Sequence, residues 1–80
     1  MEKELMRKNV VSSMIKQVAT FQHGDDDGVV DLEITFSNNQ KYMYEAVSQR
    51  KVSEMMEADS IGKYFYRRIR NNYQSKRIDN

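Results

Sequence analysis

Eighty residues with a net charge of +1 and no cysteine fit one domain around a small core, which at this length buries only about 60% of the surface the unfolded chain exposes. The missing cysteine excludes disulfides and thiolate metal sites and suits a reducing compartment, so the cytoplasm is the expected location. Apolar runs such as Val10-Val11 and Val29-Val30 fall far short of the ~20 residues of a membrane span, and the charged stretch Met1–Asn9 has no apolar core behind it, so neither membrane association nor a secretory signal is expected.

Residues 1–9 read as an N-terminal segment ahead of a domain over 10–78. Around Leu5 and Met6 the segment fits a helical turn or an extended chain equally well. Met14–Phe21 is rich in apolar and β-branched residues, but Ile15, Val18 and Phe21 do not share one alternating phase, which predicts a strand with a bulge. His23 to Gly28 carries turn residues throughout and predicts a hairpin loop.

Val29–Phe36 is the clearest strand. Val30, Leu32, Ile34 and Phe36 alternate with Asp31, Glu33 and Thr35, predicting one apolar face and one solvated face. After the Ser37–Gln40 turn, a third strand over Lys41–Ala46 places Tyr42 and Tyr44 on one face. The period then changes. Ser48 is placed to cap a helix with Val52, Met55 and Met56 on its apolar stripe, and Ser60 to cap a second helix carrying Ile61, Phe65 and Ile69 and running to about Tyr73. The polar tail from Gln74 onward is expected to fray. The predicted fold is α+β: a three-stranded antiparallel sheet with two C-terminal helices packed on one face.

No residue set converges on catalysis or a metal. The lone His23 falls in the predicted loop and reads as a solvated side chain. Asp25-Asp26-Asp27 reads as an acidic turn, because the ligand spacing of a calcium loop is absent. No enzyme activity, metal or cofactor is predicted.

Charge is distributed unevenly. Ser60–Asn80 holds six bases against Asp79 alone, or +5, whereas the first 59 residues hold seven bases and eleven acids, or −4. On the second helix Lys63, Arg67 and Arg70 share one face, with Arg68 beside them and Tyr66 and Tyr73 flanking. Guanidinium groups pair with phosphate and tyrosine rings stack on bases, so the pattern suits single-stranded nucleic acid. Ser60, Gly62 and Lys63 at the helix start form a candidate anion site; close packing of the two helices explains Gly62 equally well. Tyr42 and Tyr44 offer stacking surfaces too, but their phase with Leu32 and Ile34 favours the core.

Val11-Ser12-Ser13-Met14-Ile15, Tyr42-Met43-Tyr44 and Ser60-Ile61-Gly62-Lys63-Tyr64-Phe65, followed by Ile69-Arg70 and Tyr73, resemble the KTSC family in order and spacing over about Val10 to Ile78. Ser12, Ser13, Tyr42 and Tyr44 match its motif positions. One departure is Ala46-Val47-Ser48, where members often carry proline after the valine. The resemblance implies a small stand-alone domain of bacteria or their phages, with RNA binding as a candidate activity. Two function classes follow: an RNA or single-stranded nucleic-acid binding module using Lys63, Tyr66, Arg67, Arg68, Arg70 and Tyr73, or a protein-interaction module meeting an acidic partner or a second copy. A nucleotide-binding module at the start of the second helix is a third alternative.

Overall fold

The computed structural model describes residues 3–79. Its elements in chain order are β1 (Glu4–Asn9), β2 (Ile15–His23), β3 (Asp26–Phe36), β4 (Lys41–Ser48), α1 (Gln49–Glu57), α2 (Ile61–Arg68) and β5 (Ser75–Arg77). The strands form one antiparallel sheet in the order β1-β2-β3-β4-β5. The α+β class and both helices agree with the sequence reading, but the sheet has five strands, not three. The added strands are the two edges. β1 has only Met6 partly buried and all three residues of β5 are exposed, so neither carries a periodic apolar signal. β5 is held by its ladder with β4, which backbone bonds extend at either end, from Glu45 N–H to the Gln74 carbonyl (2.9 Å) and from Ile78 N–H to the Lys41 carbonyl (2.8 Å). The expected frayed tail is therefore an ordered strand.

Ile15, Val18, Leu32 and Ile34 form the apolar face, joined by Tyr44 and Val47 from β4. α1 buries Val52 and Met55 against it, α2 adds Phe65, and Ile69 follows. Each fully buried aliphatic side chain contributes roughly 1.5–3 kcal/mol. Ile15 faces Phe36 and Gln17 faces Thr35, so the register slips at Lys16. This is the predicted bulge, and it brings both Ile15 and Val18 into the core.

The opposite face departs from expectation. Asp31, Glu33 and Thr35 are all less than 9% exposed, not solvated. β3 is the central strand, and long side chains from its neighbours cover it: Arg7 on β1 reaches across β2 to Glu33 (3.1 Å) and also pairs with Glu4 (2.7 Å). His23 is likewise not a free loop residue. It ends β2, half-buried, with Nδ1 2.8 Å from Asp31 Oδ1. The hairpin turn shortens to Gly24-Asp25, where Gly24 takes the positive φ of 55° that a tight connection requires.

A second bulge lies in β4. Val30 faces Val47 while Leu32 faces Tyr44, so Glu45 and Ala46 together oppose Asp31. Ala46 adopts φ 53° and its N–H donates to Asp31 Oδ1 at 3.0 Å. Among the described residues no helix is long and apolar enough to cross a membrane.

Candidate nucleic-acid interface

Ser60 caps α2 as its position predicts: its Oγ accepts the Lys63 N–H at 3.2 Å. At α1 the Ser48 side chain makes no such bond. Gly62 is buried, and a Cβ there would meet Ser12 Oγ at 3.4 Å and Met14 Cβ at 3.5 Å. The close approach that Gly62 permits is thus to the β1–β2 connection and not to α1. Ser12 belongs to the same joint, since its Oγ accepts the N–H groups of Met14 and Ile15 at 3.2 Å each. Ser13 is exposed. With Lys63 N–H capped and Gly62 packed, the anion-site candidate of Ser60, Gly62 and Lys63 is in large part explained by local structure.

α2 stops earlier than its apolar spacing predicts. Ile69 and Arg70 both donate to the Phe65 carbonyl (3.0 and 2.9 Å), and Asn72 Nδ2 takes the Arg68 carbonyl at 2.7 Å. An asparagine side chain that competes for a helix carbonyl ends the helix. Residues 69–73 therefore leave the helical path, and Tyr73 is not in line with Tyr66. Tyr73 is half-buried beside α1, with Lys51 Nζ 5.1 Å from its ring centre. Lys63 lies at the other end of α2, in a shallow hollow with Ser12, Ser13 and Asp59.

Arg70 and Tyr66 are brought together. The Arg70 guanidinium carbon sits 4.5 Å above the centre of the Tyr66 ring, and Tyr66 is 52% exposed. The pair borders a groove of about 540 Å³ between α2 and the end of the β3–β4 hairpin. Its aromatic wall is a chain of edge-to-face contacts: Phe36 with Tyr42 (5.8 Å between ring centres), Phe36 with Phe65 (5.6 Å) and Tyr44 with Phe65 (5.2 Å). Tyr42 and Tyr44 lie across from Ile34 and Leu32 on the apolar face, as their phase predicts, and also line the groove. Burial pushes the Tyr44 phenol above its ordinary pKa, while the Arg70 charge and a hydrogen bond with Ser75 pull it back.

Lys63, Arg67, Arg68 and Arg70 are all exposed, and none forms an ion pair among the described residues. The polar side of the groove was not visible in the sequence. Ser37, Asn38 and Gln40 supply it from a turn that composition marked only as a connection, and Asn71 from beyond α2.

The KTSC domain family matches residues 12–73. Among solved structures, the crystal structure of a KTSC domain protein from Yersinia pestis superposes with a TM-score of 0.78, at 28% sequence identity, over 92% of this chain and 97% of that one. No curated protein matches the sequence.

Proposed function

The chain belongs to the KTSC domain family, and on that footing we propose that it is a non-catalytic module that binds single-stranded nucleic acid along α2 and the groove beside it. The observation that carries this reading is the Arg70–Tyr66 pair at the border of an aromatic groove, next to the unpaired bases of α2. A guanidinium stacked on a ring keeps its N–H edge for a phosphate. Tyrosine faces add about 1–3 kcal/mol per stacked base. Arg67 and Arg68 extend positive charge along the helix and Lys63 adds to it at the helix start, while Tyr73, beside α1, lies off this line. A cytoplasmic setting and a bacterial or phage source belong to the same proposal.

Fluorescence-anisotropy titration of short single-stranded RNA and DNA at two salt concentrations tests it, with wild type beside an Arg67→Ala/Arg70→Ala variant whose fold is checked by circular dichroism. Binding should weaken steeply with salt, as counterion release requires, and should fall at least about tenfold in the variant. Absence of binding at low salt would overturn the reading and redirect attention to a protein partner or a second copy of the chain.

A further inference from the structure

The groove carries more chemistry than backbone binding needs. Its volume, about 540 Å³, lies within the range of small-ligand sites, roughly 300–1,000 Å³. One side is aromatic. The other brings together three carboxamides, from Asn38, Gln40 and Asn71. Asn38 and Gln40 sit on a turn that is already fixed: Asn38 Oδ1 accepts the Gln40 N–H at 3.0 Å, Lys16 Nζ donates to Asn39 Oδ1 at 2.9 Å, and Asn39 holds φ 70°. The bond to Asn38 leaves its amide NH₂ as a donor. The Gln40 and Asn71 side chains make no hydrogen bond among the described residues.

Resting on the nucleic-acid reading above, we infer that this groove is a pocket for one unstacked adenine base, its ring against Phe36 and Tyr42, the half-buried members of the aromatic wall, and its edge read by Gln40 and Asn71. Recognition of single strands proceeds this way, with a splayed base stacked on aromatic side chains and hydrogen-bonded along its edges. The choice of base follows from donor and acceptor types. On the Hoogsteen edge, the adjacent donor and acceptor of a carboxamide pair with adenine N6 and N7, whereas guanine N7 and O6 are both acceptors and call for Arg or Lys. Among the described residues no carboxylate lines the groove, and the one charged side chain that does, Arg70, is stacked on Tyr66.

The test compares a uridylate strand with the same strand bearing one adenine at its centre, by anisotropy at fixed salt. It uses wild type, Gln40→Ala/Asn71→Ala and, because Gln40 is half-buried, Asn71→Ala alone. Wild type should bind the adenine-bearing strand about tenfold more tightly, the size of one good base contact, and the ratio should fall toward one in the variants. Equal affinity of wild type for the two strands, or a ratio that persists in the double variant, would overturn the base pocket and leave the nucleic-acid reading standing. Failure of both strands to bind would overturn the pocket and the nucleic-acid reading together.

Discussion

The carboxylate of Asp31 accepts the N–H of Ala46, a residue held at φ 53°, so a buried acid on the central strand fixes the bulge in its neighbour. Asp31→Ala would leave that partly buried N–H without its acceptor, at a cost of about 1–3 kcal/mol. Asp31→Asn keeps an acceptor oxygen and should cost less. Ala46→Gly should stabilise by about 0.5–1 kcal/mol, because a left-handed backbone is strained for any residue with a Cβ. Urea denaturation checks all three, the midpoint moving with an unchanged slope.

Thr35 is 6% exposed and its Oγ1 has no hydrogen-bond partner among the described residues. Replacing a buried hydroxyl of this kind with a methyl group removes a desolvation cost and preserves β-branching. Thr35→Val is expected to raise stability by about 1 kcal/mol in the same denaturation assay.

Phe65 is 1% exposed and touches both Phe36 and Tyr44, joining α2 to the sheet and forming the groove wall. Phe65→Ala should cost about 3–5 kcal/mol, a large share of the roughly 4–12 kcal/mol that a domain of this length has. Scanning calorimetry should show the melting temperature falling by at least about 12 °C.

Asp79 is held at about 2, well below the ordinary carboxylate value, by its bonds with the Arg77 guanidinium and the Lys41 N–H. Its folded pKa is depressed, so its stabilising contribution is complete above pH ~4, the value in an unfolded chain, and is lost as pH falls through about 2. A carboxyl-carbon NMR titration should find Asp79 still ionised at pH 3, and Asp79→Asn should remove that part of the acid sensitivity. A midpoint near 4 would contradict the assignment.

The Tyr64 hydroxyl donates to Glu54 Oε1 at 2.7 Å, linking α2 to α1, and this bond is the first cause of the lowered Glu54 pKa. In Tyr64→Phe the Glu54 titration should move up toward the ordinary glutamate value. The same NMR experiment reads the shift.

Where side chains announce burial, the sequence was legible. Val30, Leu32, Ile34 and Phe36 repeat at a period of two, and Val52, Met55 and Phe65 fall on helical stripes, so β3 and both helices were readable from residue type alone. β1 and β5 were not, because edge strands such as Ser75–Arg77 are defined by backbone pairing to residues far away in the chain. The solvated reading of Glu33 failed for a related reason: its cover, Arg7, comes from a strand that was itself unforeseen. Of the residues bordering the groove, Tyr66 and Arg70 stood out in the sequence as an aromatic and a base on one helix. Gln40 and Asn71 did not, since an amide in a turn looks the same whether or not it borders a cavity.

The sheet's strand order repeats the order of the chain. Each strand joins the one made before it, so assembly can advance hairpin by hairpin with short loops to close. Only the last pairing, of Ser75–Arg77 with Tyr42–Tyr44, must wait for two helices to form. Because Ser75 and those tyrosines also border the groove, the groove would be the final part of the molecule to mature as it folds.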